Sequence, residues 1–303
     1  MPGVTNSSGR LTNLSPNTLG AVFMIVGSIG YVTNDALIRA ATEEGLDVYQ
    51  ALFLRGVAMS VLFAAIVQRR GDRLARTHFT GPLVGRVAAE LAGTALFFAA
   101  LVRLEFANAQ TILLLVPFAV TLTAAIVLRE RVTIGQYAAV VAGFGGVLLV
   151  VQPATEGFSI WSLAVVASAG FLTLREFATR RVPNAIPAPT IALITAMGLT
   201  VLTGAISAGT GWNTITLRAA LLVLLACLCL VVGYIFTIQT VRVGDLSVSA
   251  PFRYTTLLGA VVLGSLLFDE IPDAVTIAGC LVIVTSGIYA IRLERRAGRG
   301  LAG

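Results

Sequence analysis

Seven ionisable side chains interrupt long apolar runs of the sequence, and their types suit ion pairing, proton binding or the recognition of charged groups. They are Asp35, Arg55, Arg86, Glu90, Arg175, Glu176 and Arg253. If these runs cross a membrane, each charge costs at least about 2.5 kcal/mol to insert, so each needs a partner, a cavity or a route to the interface. The sequence therefore predicts that charged groups meet inside the fold.

Two sets of partners are expected for these charges. We predict that Asp35 pairs with Arg55 at one end of a central cavity. At the other end, Glu90 is expected to pair with Arg175 or Arg253. Such pairs would stabilise two gates in alternation or bind charged groups of a substrate, and the alternative is that they are structural pairs or side chains that extend to the interface.

Glu90 is also a candidate for carrying a coupling proton, because an unpaired carboxyl in a dry cavity binds a proton readily. Arg86 lies four residues earlier, a spacing that permits an ion pair within one helix. That pairing would neutralise Glu90 and weaken its candidacy. For Arg86 and Glu176, which lie closer to the ends of their apolar runs, the structural interpretation is favoured.

Polar and aromatic residues near the middle of the apolar runs complete the candidate lining of the cavity. A pocket with tyrosine faces and amides would suit a flat aromatic metabolite, although such residues more often bridge neighbouring helices. Tyr254, beside Arg253, is the leading candidate. The set is Asn34, Gln110, Tyr234, Gln239 and Tyr254.

Two prolines inside apolar runs predict helix kinks near the site. Pro117 and Pro251 each leave one backbone carbonyl without its usual donor. On another run, Ala138, Ala142 and Gly146 recur every four residues, which indicates close helix packing and permits either a monomer or a homodimer.

Catalytic and metal-binding motifs are missing from the sequence. His78 is its one histidine, and Cys227, Cys229 and Cys280 all lie inside apolar stretches. A disulfide framework, a zinc site, a nucleophilic triad or a phosphate-binding loop is therefore not expected. We predict no enzyme activity, no cofactor, no metal and no nucleic-acid partner.

The elements that position these residues follow from composition. The chain has 303 residues, of which 57% are hydrophobic and 12% charged, about half the charge of a soluble domain. A membrane-spanning helix needs about 20 mostly apolar residues. That length predicts an all-α integral membrane protein with ten transmembrane helices, at residues 18–40, 48–68, 82–103, 107–128, 133–151, 159–179, 188–209, 217–240, 247–268 and 273–292.

Orientation follows from the arginines between the apolar runs. With the N-terminus inside, fourteen arginines fall in inner loops and tails and three in outer loops, which predicts that both termini are cytoplasmic. Asp35 and Arg55 then lie in outer halves of their helices, whereas Glu90, Arg175 and Arg253 lie in inner halves. The cytoplasmic tails are predicted at 1–17 and 293–303.

The sequence also repeats itself at an offset of 140 residues. The segment 30–33, Gly-Tyr-Val-Thr, recurs at 170–173 as Gly-Phe-Leu-Thr, and 128–130 recurs at 268–270. Five helices per half, at 18–151 and 159–292, make the second repeat enter the membrane from the opposite side. Inverted repeats are typical of transporters, because two halves can exchange conformations around one central site.

These features resemble the drug/metabolite transporter superfamily, EamA type. The resemblance rests mainly on 250–258, Ala-Pro-Phe-Arg-Tyr-Thr-Thr-Leu-Leu, and on 266–270, Leu-Leu-Phe-Asp-Glu. The segments 33–37 and 50–55 further resemble a branch that takes up metabolites, including riboflavin and S-adenosylmethionine. The resemblance implies a ten-helix secondary carrier of small organic molecules in the bacterial inner membrane, working by alternating access with or without a coupling proton.

The sequence is compatible with other functions. Export of amino acids or related metabolites fits the same residues as vitamin or nucleoside-like uptake. A channel would be expected to show rings of charge or a carbonyl filter, and an intramembrane enzyme would need a catalytic constellation. The sequence carries neither pattern, so both are remote alternatives.

Overall fold

Eleven α-helices and one short 3-10 helix account for almost all of the part of the chain that the computed structural model describes. The described residues are 15–71, 78–127, 133–152, 159–183, 185–243 and 249–300. The helices are α1 (Pro16–Glu43), α2 (Val48–Arg69), α3 (Gly81–Leu101), α4 (Phe106–Leu113), α5 (Leu115–Val127), α6 (Ile134–Val151), α7 (Ile160–Arg180), α8 (Ala188–Thr210), α9 (Leu217–Val243), the 3-10 helix (Ala250–Tyr254), α10 (Thr255–Phe268) and α11 (Ala274–Gly300).

In the part of the chain that the structure describes, ten segments are long and apolar enough to cross a membrane, which confirms the predicted ten-helix, all-α membrane fold. Their bounds are Thr18–Glu43, Val48–Arg69, Gly81–Leu101, Phe106–Ile126, Ile134–Val151, Ile160–Arg180, Ala188–Thr210, Leu217–Thr240, Pro251–Phe268 and Ala274–Leu293. We call the side on which α1 begins the N-terminal face and the other side the opposite face. The tail before Ser15 and the repeat segment 128–130 lie outside the described residues.

The two prolines predicted to kink helices both lie beside interruptions. Residues 106–127 form two helices that meet at Leu114, three residues before Pro117. Within α5, Thr121 Oγ1 donates to the carbonyl of Pro117 itself over 3.0 Å. Pro251 lies in the first turn of the 3-10 helix that precedes α10. There the missing N–H costs nothing, because the first turn of a helix has no acceptor for it.

Polar side chains before several helices determine where the helices begin. Asp47 Oδ1 accepts hydrogen bonds from the backbone N–H groups of Tyr49 at 2.9 Å and Gln50 at 3.1 Å, which caps α2. Thr133 and Gln136 form a reciprocal capping box at the start of α6. Each cap satisfies backbone donors that lack partners at a helix N-terminus.

The helices of the two halves pack against each other in a symmetric pattern. The most extensive packing partners are α1 with α9, α3 with α7, α2 with α8 and α6 with α11. Counting spans in each half, α1 with α9 is the first span against the third of the other half, and α7 with α3 repeats that relation. The other two pairs join the second spans and the fifth spans. This exchange is the packing that two inverted five-helix repeats require.

Glycines permit the closest of these approaches. A Cβ on Gly30 of α1 would lie 2.8 Å from the backbone nitrogen of Gly233 on α9. A Cβ on Gly146 of α6 would lie 2.9 Å from the carbonyl oxygen of Gly279 on α11. Gly146 thus packs within the chain, while Ala138 and Ala142, its companions in the small-residue pattern, are exposed. Helices in lipid associate through such close van der Waals packing, because lipid itself is apolar.

Candidate functional site

Four polar residues, of which three are buried and Asp35 is partly buried, form one group between α1, α2 and α4, which we call the Asp35 cluster. It consists of Asn34, Asp35, Arg55 and Gln110. Gln110 Nε2 donates to one carboxylate oxygen of Asp35 over 2.9 Å, and Asn34 Nδ2 donates to the other over 2.8 Å. Arg55 Nη1 donates to Asn34 Oδ1 over 3.3 Å. Asn34, Arg55 and Gln110 are at most 5% exposed, so the cluster lies in the protein interior.

The predicted pairing of Asp35 with Arg55 is indirect in the structure. No ion pair of 4.0 Å or less joins these two described residues, and Asn34 lies between them as a bridge. The guanidinium of Arg55 instead stacks over the ring of Phe98, 4.9 Å from its centroid. The aromatic face and the amide therefore take the place that a direct carboxylate contact was expected to fill.

The helix ends give the depth of the Asp35 cluster. Asp35 lies eight residues before the end of α1, and Arg55 lies seven residues after the start of α2. At 1.5 Å per residue these positions are roughly 12 Å and 10 Å from the opposite face. The cluster thus occupies the half of the membrane nearer that face.

A second group of charges lies between α3, α7 and α8, and we call it the Glu90 cluster. Arg175 Nη1 donates to Glu90 Oε1 at 3.2 Å and to Oε2 at 3.0 Å, and its other terminal nitrogen binds Glu176. Arg86 Nη2 is 3.8 Å from Glu90 Oε2, and Arg86 Nη1 donates to Thr195 Oγ1 over 2.9 Å. Two carboxylates and two guanidiniums therefore form one connected network.

The network decides which partner Glu90 takes. The sequence allowed Arg175 or Arg253, and Arg175 is the residue in contact, while Arg253 is exposed on the 3-10 helix. The structure also contradicts an unpaired Glu90, because Arg86 and Arg175 approach its carboxylate from the same helix and from α7. The geometry therefore does not support Glu90 as an unpaired carboxyl in a dry cavity.

The two clusters occupy equivalent places in the repeat. Arg175 lies 140 residues after Asp35, and Thr195 lies 140 residues after Arg55. The central residues of one cluster thus correspond to those of the other, although the residue types differ. Because the second half is inverted relative to the first, the Glu90 cluster lies in the half of the membrane nearer the N-terminal face.

The remaining predicted residues lie on α9 and on the 3-10 helix, and Tyr234 of α9 is within electrostatic range of Arg86. Tyr234 packs edge-on against Phe63 at 5.4 Å between ring centroids, and Gln239 is partly buried further along α9. Tyr254 is only 7% exposed and fits against Gly287, where an added Cβ would lie 1.7 Å from the tyrosine oxygen. Their assignment to substrate binding stays a prediction.

A third network, which the sequence reasoning missed, ties helices together at the opposite face. Arg39 binds the Glu270 carboxylate and donates to the Leu104 carbonyl over 3.0 Å. The Phe106 backbone N–H donates to Glu270 Oε2 over 2.6 Å, and the Arg39 guanidinium lies 4.2 Å from the ring centroid of Phe268. We call these contacts the Arg39 lock. They join the end of α1 to the α3–α4 turn and to the end of α10.

Acidic side chains surround the Arg39 lock. Burial raises the pKa of the Glu105 carboxyl, and the nearby charges of Glu270 and Asp273 raise it further. At Asp273 the hydrogen bond from Thr276 lowers the pKa, helped by one from Gln152. The carboxyl groups of Glu105, Glu270 and Asp273 therefore lie around the Arg39 guanidinium at the opposite face.

Several contact residues had no signal in the sequence. Phe98 and Thr195 are ordinary members of apolar helices until the fold brings them against arginines. Tyr31 lies near Thr237 and close enough to Arg175 and Arg253 to interact electrostatically. Among the described residues, no group of three histidine, cysteine, aspartate or glutamate side chains is placed to hold a metal ion.

Comparison with known proteins agrees with this architecture. The EamA-like transporter family matches residues 18–152. A riboflavin transporter of Rhizobium johnstonii is 24% identical over 97% of this chain and 98% of its own length. The pseudopaline exporter CntI of Pseudomonas aeruginosa is 23% identical, covering 91% of this chain and 97% of the exporter. An S-adenosylmethionine uptake transporter of Rickettsia bellii is 22% identical over 60% of this chain and 62% of that protein.

A solved crystal structure gives the same fold. It superposes with a TM-score of 0.58 and covers 92% of this chain and 98% of its own, at 18% sequence identity. The ten apolar helices of the described residues, the family match over 18–152 and the relatives together support a multi-pass inner-membrane transporter similar to the EamA type of the drug/metabolite transporter superfamily, and not an enzyme.

Proposed function

We propose that this protein is a secondary active transporter that takes up a small organic metabolite by alternating access. The observation that carries the proposal is the placement of the Asp35 and Glu90 clusters at equivalent positions of the two halves, one toward each face. Two polar clusters on one path allow a site between them to face each side in turn. A gradient supplies the energy, since the sequence has no nucleotide-binding motif.

The Arg39 lock acts in this proposal as the gate of the opposite face. It connects three segments whose separation would open a path to the Asp35 cluster. Arg39 is only 11% exposed and Glu270 16% exposed, so their pairing is shielded from solvent. Opening of this gate requires that both Arg39 and Glu270 become hydrated, so the contacts of the lock are lost together.

Asp35 is the group to which we assign any coupling proton. Its two carboxylate oxygens accept from neutral amides, and no guanidinium lies within 4.0 Å of it among the described residues. Glu90, in contrast, is held between Arg86 and Arg175. A carboxylate with neutral partners takes up a proton more readily than one between two cations.

The direction of transport and the substrate class follow the relatives. Similarity along nearly the whole chain to a riboflavin transporter, and along part of it to an S-adenosylmethionine uptake transporter, supports uptake of a vitamin or nucleoside-like metabolite. The pseudopaline exporter, covered over a similar length, supports export of an amino-acid-derived metabolite as the second candidate.

Complementation distinguishes the two directions. The gene is expressed in a bacterial strain that needs external riboflavin and has no transporter for it, and in a second strain that needs external S-adenosylmethionine. Growth at low concentration of either compound supports uptake of that compound. Growth of neither strain, together with increased release of amino-acid metabolites from producing cells, would instead support export.

A further inference from the structure

The Asp35 cluster keeps two opposite charges close together without joining them. Asp35 projects from α1 and Arg55 from α2, and the side-chain amide of Asn34 lies between them. The amide nitrogen donates to the carboxylate at 2.8 Å, whereas the amide oxygen accepts from the guanidinium at 3.3 Å. The amide is therefore oriented with its donor end on the anion and its acceptor end on the cation.

Both charges have unused hydrogen-bonding capacity. A carboxylate can accept about four hydrogen bonds, and Asp35 accepts two from the residues that the structure describes. A guanidinium has five N–H donors, and in the described part of the chain Arg55 donates one hydrogen bond, to Asn34. Arg55 is only 5% exposed. Neither Asp35 nor Arg55 has a side-chain nitrogen or oxygen that is both sealed from solvent and without a partner, so the free hydrogen-bonding positions are open to a ligand that supplies the missing groups.

We propose that the Asp35 cluster binds the zwitterionic head group of an α-amino acid, with the ammonium on Asp35 and the carboxylate on Arg55. The amide of Asn34 has the same polarity as such a head group, donor toward Asp35 and acceptor toward Arg55. The head group of an α-amino acid either replaces the Asn34 amide between the two charges or binds beside it. Gln110 holds the second oxygen of Asp35, so the carboxylate keeps its orientation during the exchange.

Phe98 completes the recognition of the carboxylate. Its ring covers one face of the Arg55 guanidinium, 4.9 Å from the centroid. A guanidinium that is covered on its face offers its N–H edge, which is the geometry that binds a carboxylate with two parallel hydrogen bonds. The site therefore prefers a planar anion to a neutral carbonyl.

This inference rests on the proposed transport function and narrows its substrate class. A metabolite with an α-amino acid group satisfies both charges at once. A neutral tricyclic compound such as riboflavin has no ammonium and no carboxylate, so it leaves both charges without partners. Selection between such compounds is large when buried polar groups of the site would lose their partners.

Binding of matched ligands to the unaltered protein in lipid nanodiscs tests the inference. The probes are S-adenosylmethionine, its decarboxylated form, and riboflavin. We expect saturable binding of S-adenosylmethionine that is at least tenfold weaker without the carboxylate. Equal binding of the two adenosyl compounds, or binding of riboflavin alone, would overturn the inference and leave the proposed transport function standing. If none of the three binds, both fail.

Variants assign the effect to the cluster. Arg55→Gln should weaken the binding of S-adenosylmethionine at least tenfold, while the binding of the decarboxylated form should change little. Arg55→Lys should restore part of the lost affinity for S-adenosylmethionine. Arg218→Gln is the matched control, because it removes an arginine that is 78% exposed at the opposite face. A loss in Arg55→Gln that is the same for both adenosyl compounds would contradict a carboxylate contact.

Discussion

Ser60 Oγ lies 3.4 Å from Thr200 Oγ1, and the two residues are 140 positions apart, which is the offset of the sequence repeat. Equivalent residues of two repeats can touch only near the axis that relates the repeats. The crossing of α2 and α8 therefore marks that axis. The Asp35 and Glu90 clusters lie on different sides of it, which fits the proposed alternating access.

The contact between α1 and α9 leaves no room for a side chain at Gly30. We expect Gly30→Ala to lower the thermal unfolding temperature of the purified protein and to reduce transport, because the new Cβ would meet backbone atoms at 2.8 Å and 2.9 Å that cannot rotate away. Gly85→Ala is the control, since nothing lies within 4 Å of its Cβ. Equal stability of the two variants would contradict this helix packing.

Breaking the Arg39 lock should expose the path from the opposite face. We expect Glu270→Gln to increase the reaction rate of a cysteine placed at the buried Ala36 with a membrane-impermeant maleimide severalfold. Glu43→Gln removes a carboxylate that also contacts Arg39 but is 51% exposed, and it should change the rate little. A rate that Glu270→Gln leaves unchanged would show that this network is not a gate.

Removing Glu90 should leave two guanidiniums without their shared carboxylate. We expect Glu90→Gln to reduce transport at least tenfold and to cost about 1 to 3 kcal/mol of stability, because partly buried donors lose a charged acceptor. Glu176→Gln should have a smaller effect, since Glu176 is 42% exposed. Transport that keeps its wild-type rate in Glu90→Gln would remove the cluster from the mechanism.

The pH dependence of transport separates the two acidic positions. If Asp35 carries the proton, Asp35→Asn should abolish the dependence of the uptake rate on a proton gradient, while residual transport by Glu90→Gln should retain it. The measurement is initial uptake with and without an imposed gradient. A gradient dependence that survives in Asp35→Asn and disappears in Glu90→Gln would reverse the assignment.

Orientation can be measured independently of transport. We expect both termini to be cytoplasmic, because most loop arginines then lie inside. A fluorescent reporter that matures only in the cytoplasm should be active when fused after Gly303, and a periplasm-dependent phosphatase should be active when inserted after Gly211. The opposite pattern would invert every statement about which cluster faces the periplasm.

The sequence predicted the ten spans well because length and hydropathy alone define them. It also brought Asp35 and Arg55 to the same depth. The sequence could not predict the Asn34 bridge between them, because the depth of a residue does not give the rotation of its helix about the helix axis. The same ambiguity left Arg175 and Arg253 as equal partners for Glu90.

Arg39 and Glu270 show a different limit. Arg39 lies at the end of a span, and Glu270 belongs to the repeated segment 268–270. Their contact joins residues 231 positions apart through the packing of α1 on α10. Charges at helix ends carry a topology signal on their own, and only the packing of the helices turns two of them into a lock.

Counterflow in proteoliposomes tests the central claim most directly. Vesicles containing the purified protein are loaded with unlabelled S-adenosylmethionine or riboflavin and diluted into a trace of the same labelled compound without ATP. An alternating-access carrier predicts transient, saturable accumulation of label for its substrate, stimulated by the internal compound and absent in protein-free vesicles. Label that enters without saturation and without stimulation from inside would contradict the carrier mechanism.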